Sequence, residues 1–181
     1  MYVWRRLLMT IGRSRFQPKL QPPQDISTVW LRVWPQDLDL NMHVNNGRYL
    51  TLMDIGRMDL LFRSGLAQNM RRNRWIPVLT GLNARYRRSL GLFSRFALET
   101  EIVGWTQHSL FMEHRIVTAK GELAASAVVR AVVLKPGDSK EKVTTAEFFA
   151  PLGCLPESPA LPETCLLLLS PSERAAMASA A

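Results

Sequence analysis

The stretch DLDLNMHVNNGRY, from Asp37 to Tyr49, gathers two carboxylates, an imidazole and three side-chain amides. Carboxylates and imidazoles move protons or attack carbonyl carbon near neutral pH, and amides can hold a water or a carbonyl in place. Asp and Asn also populate ordinary turns, because their side chains mimic the backbone and tolerate unusual dihedrals. A turn accounts for the asparagines but not for His43, nor for Leu38, Leu40, Met42 and Val44, which alternate with the polar residues. Alternating apolar residues predict a loop pressed on a core, where polar groups need partners or a task.

The flanking elements must position that loop. STVWLRVWP (27–35) alternates Val29, Leu31 and Val33 with Trp30, Arg32 and Trp34, which predicts a strand ended by Pro35. After the loop, Asn45 or Asn46 can cap a helix with the body GRYLTLMDIGRMDLLFRSG, closed by Gly65. Leu50, Leu52, Met53, Ile55, Met58, Leu60, Leu61 and Phe62 run round most of its circumference, so burial is expected. Four strand-like stretches follow at 74–90, 95–105, 109–119 and 122–136, the last three joined by short connections. Long antiparallel strands beside one apolar helix predict an α+β domain, with a curved sheet folded round the helix.

The chain has 181 residues, enough for one domain with a sizeable core. Its organisation reads as a basic segment and linker over 1–26, a domain over 27–136 and a Pro-rich appendage over 137–181, with a short helix near TTAEFF and a terminal one after Ser172. Cys154 and Cys165 match no metal-ligand spacing and read as unpaired thiols of a reducing compartment; no metal or cofactor is expected. The formal net charge is +8, and residues 1–24 hold Arg5, Arg6, Arg13, Arg15 and Lys19 without an acid. Anionic lipid, a nucleotide-bearing substrate and RNA all suit that charge. Nucleic acid ranks last, since no RNA-binding motif with stacking aromatics is present. Val3, Trp4, Leu7, Leu8 and Ile11 share one helical face. Residues 1–16 therefore suit peripheral membrane contact, docking of the apolar stripe on the domain, or an organellar targeting peptide.

The order of elements and the loop together resemble the hot-dog fold of acyl-thioester hydrolases, in the branch of 4-hydroxybenzoyl-CoA thioesterase and the acyl-ACP thioesterases. DLNMHVNNGRY follows the pattern D-x-N-x-H-V-N-N-x-x-Y, and YRRSLGLFSRF (86–96) is similar to a second family segment, with Ser89 in place of proline and Ser94 in place of an acid. The resemblance implies a five-stranded antiparallel sheet round a long central helix, hydrolysis of an acyl-CoA or acyl-carrier thioester, and a homodimer or larger homo-oligomer. It places the active-site residues at Asp39, Asn41 and His43.

The residues suit that chemistry independently. Asp39, just ahead of the helix, can act as nucleophile or as base for water, with Asn41 holding the water or carbonyl and His43 serving as a second base or orienting the thioester carbonyl. Unpaired N–H groups at the helix start, near Asn46 and Gly47, can meet a developing oxyanion. Arg87 and Arg88 suit the phosphates of CoA. Asp37 reads as a turn residue, and Asp54 with Arg57 as a local ion pair, Asp54 being also a possible second acid. A cytoplasmic thioesterase, peripheral at a membrane, is the expectation. The rivals are a non-catalytic acyl-chain binder and an enoyl-thioester hydratase. The hydratase motif resembles D-x-N-P-x-H, whereas DLNMH is one position shorter and lacks the Pro.

Overall fold

Asn45 begins the central helix. Its side chain accepts a hydrogen bond from the Gly47 N–H at 2.9 Å, capping α2 (Asn46–Arg63), as a short polar side chain at this position should. Gly65 takes φ +81° after the last turn, a conformation glycine adopts without steric cost. The chain then enters a second helix, α3 (Leu66–Asn73), that the sequence pattern did not reveal. The computed structural model describes residues 2–137, 141–153 and 157–180.

Five strands form one antiparallel sheet in the order β1-β3-β4-β5-β2. They are β1 (Ser27–Arg32), β2 (Ile76–Tyr86), β3 (Arg95–Trp105), β4 (Leu110–Thr118) and β5 (Leu123–Leu134). The hot-dog architecture expected from the sequence is the one observed, with β1 stopping short of Val33. One face of the sheet receives α2. Tyr49, Leu52, Met53 and Ile55 pack with Phe96, Leu98 and Ile116, and Leu60 and Leu61 with Ile102, Met112 and Val129. Each such side chain contributes roughly 1.5–3 kcal/mol on leaving water. Gly56 sets the approach of helix to sheet, since an added methyl there would collide with Thr100 Oγ1 and crowd Leu98.

The other face of the sheet is covered by the C-terminal segment. Cys165 and Leu169 pack on Phe111 and Val128, and Arg130 of β5 pairs with Glu173 at 2.8 Å. Two short helices, α4 (Thr145–Phe149) and α5 (Glu163–Leu166), precede α6 (Pro171–Ala180), so the expected terminal helix is present. Thr144 and Glu147 form a capping box on α4. Burial pushes the Cys165 thiol up to about 11, which makes it a poor nucleophile. Cys154 lies outside the described residues.

The N-terminal helix α1 (Tyr2–Ser14) docks on the domain chiefly by a polar stripe, with Leu7 and Ile11 of the apolar stripe half-buried beside it. Arg6, Thr10 and Ser14, four apart, are its buried residues, while Trp4 and Leu8 stand 67% and 66% exposed. Arg6 is drawn inward by an acid, as the loop geometry explains below.

Candidate active site

The loop between β1 and α2 is a small hairpin. Leu38 and Val44 form an antiparallel bridge, and the Asp39 N–H donates to the His43 carbonyl at 2.8 Å. Met42 closes the turn at φ +60°, and its N–H donates to the Asp39 carbonyl at 3.1 Å. A second wall comes from the segment after β2. The Val44 N–H donates to the Leu90 carbonyl at 2.9 Å, and His43 bridges Gly91. The stretch YRRSLGLFSRF thus backs the loop. Ser94 Oγ donates to the Gly91 carbonyl at 2.7 Å and the Val33 N–H donates to the Ser94 carbonyl at 2.9 Å, which ties this wall to the end of β1.

Asp39 is half-buried, and one carboxylate oxygen, Oδ1, accepts from the Asn41 N–H at 2.9 Å and the His43 N–H at 3.4 Å. Both bonds fall on Oδ1, and Oδ2 accepts no hydrogen bond among the described residues. Asn41 and His43 are exposed around it. Leu38 and Val44 meet the core as the alternation predicts, whereas Leu40 is fully exposed and Met42 is exposed. The apolar rim of the loop therefore faces outward on one side.

Asn46 and Gly47 open α2 beside this loop. The Gly47 N–H is occupied by the Asn45 cap, while the Asn46 N–H has no acceptor among the described residues. The two expected oxyanion donors are thus unequal, since only the Asn46 N–H lacks an acceptor among the described residues. Tyr86, at the end of β2, donates its hydroxyl to the Asn46 carbonyl at 3.1 Å, and its ring meets Tyr49 at 5.4 Å. Burial raises the Tyr49 phenol above its ordinary range, against a backbone hydrogen bond with Leu90, so this motif tyrosine is a neutral anchor. Arg87 and Arg88 follow Tyr86 directly and reach the same end of the sheet. Both N–H groups donate to the Ala124 carbonyl, and the Arg88 side chain pairs with Glu122 at 3.3 Å.

Asp37 does more than shape a turn. Its carboxylate is fully buried and accepts from Arg6 Nη2 and the Trp34 N–H, each at 2.9 Å, with Arg48 Nε at 3.6 Å. Its carbonyl accepts from the Asn45 N–H at 2.9 Å. Asp37 therefore joins three elements: α1, the loop and the cap of α2. A cation on α1 must turn inward to neutralise this acid, which is why the polar stripe of that helix is buried.

Asp54 and Arg57 form the expected ion pair on α2. Arg57 also reaches His114 Nε2 at 3.3 Å, and His114 Nδ1 lies 3.0 Å from Thr100 Oγ1. A guanidinium only donates, so Nε2 accepts and His114 carries its proton on Nδ1, donating to Thr100. Burial, then the Arg57 charge, lowers His114 to about 3, and burial lowers Arg57 to about 10. The folded state holds His114 neutral, while the unfolded chain protonates it below its ordinary value near 6.5. Stability from this site is therefore complete above pH 6.5 and is lost as pH falls towards 3, by at most about 1.4 kcal/mol per pH unit. We expect the melting temperature of His114→Gln to depend less on pH between 6.5 and 4 than that of the wild type. Parallel profiles from calorimetry would refute the assignment.

Comparison with known proteins agrees with this architecture. Residues 33–163 match the family model described as the Thioesterase-like superfamily. The chain belongs to that superfamily. Among its relatives, Protein THEM6 of Xenopus laevis is 36% identical over 135 residues, spanning 75% of this chain and 65% of that protein. Thioesterase lcsJ of Purpureocillium lilacinum is 27% identical over 161 residues, spanning 76% of this chain and 50% of the relative. The chain thus spans less than two thirds of either. Among solved structures, the YbaW probable thioesterase from Escherichia coli superposes with a TM-score of 0.64 at 23% identity, covering 70% of this chain and 96% of that one. No helix among the described residues is long and apolar enough to cross a membrane.

Proposed function

We propose that the protein hydrolyses an acyl thioester, of CoA or an acyl-carrier protein, to the free acid and thiol. What supports this reading is that one loop leads from Asp39, whose Oδ1 alone is held by the Asn41 and His43 N–H groups, into the start of α2, where the Asn46 N–H has no acceptor among the described residues. Asp39 attacks the thioester carbon or takes a proton from the attacking water, and the developing oxyanion faces the helix N-terminus. Asn41 and His43 orient the carbonyl and the water. Arg87 and Arg88 receive phosphates of a CoA or carrier arm. Superfamily membership and the thioesterase name of the fungal relative support the reaction class.

The working unit we propose is a homodimer. Strand β2 lies at one edge of the sheet, with Ile76, Leu79, Leu82 and Tyr86 exposed along it, and an unpaired edge of that kind is shielded by pairing with another strand. The buried, free thiol of Cys165 suits a reducing, cytoplasmic setting. Lipid metabolism is the natural context for acyl thioesters, and peripheral contact with membranes through residues 1–16 completes the proposal.

A thiol-release screen over acyl-CoAs of varied chain length tests the reaction. Inhibition by stable analogues then tests the oxyanion site. A ketone analogue keeps a carbonyl at the scissile position and a thioether does not, so the ketone should bind more tightly by about 1–2 kcal/mol. Equal binding of both, with no thiol released from any substrate, would leave only an acyl-chain binder.

A further inference from the structure

We propose that the outward face of α1, together with the groove between α1 and β1, docks on an anionic phospholipid bilayer. The first ground is the inverted polarity of the helix. A helix lying on a domain ordinarily turns its apolar stripe inward. Here the fully inward residues are Arg6, Thr10 and Ser14, Leu7 and Ile11 are only half-buried, and Trp4 and Leu8 face solvent, with Met9 half-exposed and Phe16 91% exposed just beyond the helix. Trp and Leu on the outer side of a short helix suit the headgroup and upper acyl region of a bilayer.

The second ground is charge. Arg6 is committed to Asp37, but Arg5, Arg13, Arg15 and Lys19 make no ion pair among the described residues. No acid precedes Asp25 in the chain. A groove of about 320 Å³ runs between α1 and the edge strand β1, with Arg5, Arg13, Arg32, Met9 and Trp30 among its walls. The one acid on it, Asp59, is buried and already held by Ser27 at 2.7 Å and Arg63 at 3.2 Å. Cations and indole rings line a slot with no free carboxylate, which suits a phosphate headgroup above and acyl chains beside it. Each basic residue near an anionic leaflet strengthens binding about fivefold.

The third ground is position. Arg6 lies on the same helix and holds Asp37, two residues before Asp39, so the helix that docks is the one that anchors the loop with exposed Leu40 and Met42. Long-chain acyl thioesters partition into the bilayer. Only their delivery to the loop rests on the thioesterase reading; the docking does not.

The test is cosedimentation of the full-length protein with vesicles of phosphatidylcholine, with and without phosphatidylglycerol. The wild type should bind the anionic vesicles, bind the neutral ones poorly, and release as salt rises. Trp4→Ser with Leu8→Ser, and separately Arg5→Glu with Arg15→Glu, should each weaken anionic binding by on the order of tenfold or more. All four residues are exposed, so melting and hydrolysis of a soluble short-chain acyl-CoA should stay at wild-type values. Unchanged binding by both double variants, or no binding of the wild type to anionic vesicles, would overturn the proposal. So would two further outcomes: displacement from vesicles by inorganic phosphate at unchanged ionic strength, which would make the groove a free-phosphate site, or a self-association that Trp4→Ser with Leu8→Ser abolishes, which would assign this face to a second copy. Loss of hydrolysis with every substrate, beside intact vesicle binding, would refute the enzyme reading alone.

Discussion

Asp39→Asn should lower the turnover of the best acyl thioester by about a hundredfold or more while the protein stays folded. The substitution keeps size and keeps an oxygen able to accept from the Asn41 and His43 N–H groups, so the hairpin survives. What it removes is the negative charge that the proposed mechanism requires. A base or nucleophile acts in the transition state, so its loss should appear in kcat more than in KM. Thiol-release kinetics at saturating substrate, with a thermal melt on the same sample, separate chemistry from folding. A variant with the wild-type kcat would remove Asp39 from the mechanism.

The largest effect on stability is expected from Asp37→Ala. It takes the counter-charge from the Arg6 guanidinium, 8% exposed and turned into the domain, whose Nη2 also donates to the Arg32 carbonyl, and takes the nearest acid from Arg48. Breaking a buried pair from one side costs about 3–5 kcal/mol, because the remaining charge keeps its desolvation penalty. For a chain of this size that lowers the melting temperature by on the order of 10 °C. Arg6→Leu added to Asp37→Ala removes the uncompensated charge and should recover part of the loss, a coupling that a double-mutant cycle reads directly. If Asp37→Ala melts with the wild type, the ion pair does not hold α1 to the loop.

The loop, the long helix and the five strands were legible because each is a local pattern. DLNMHVNNGRY is contiguous, the cap lies next to the helix it caps, alternation marks β1, and β5 is a nearly unbroken apolar run rich in Ala and Val. What escaped depended on distance along the chain. Periodicity shows that Arg6, Thr10 and Ser14 share a face of α1, but the face that docks is chosen by Asp37, far along the sequence. The partnership of His114 with Thr100 and Arg57 likewise joins two strands and a helix. Which helix-start N–H is open could be read only from the cap, since the Asn45 side chain takes Gly47 and leaves Asn46. Helix α3 was missed because its eight residues are mostly polar and follow a glycine that ends one helix and permits the next to begin.

The strand order sets a timetable for synthesis. Helix α2 and β2 leave the ribosome before β3, β4 and β5, yet among the described strands β2 pairs only with β5, from Ile76 opposite Leu134 to Tyr86 opposite Ala125. Until β5 emerges, β2 has no neighbour in the sheet, and its Ile76, Val78, Leu79 and Leu82 stay available to any other exposed strand. Strand β1 waits too, for β3. The loop carrying Asp39 is therefore translated early but assembled late, and a nascent chain of this protein is most open to chaperones and to misassembly between the appearance of β2 and that of β5.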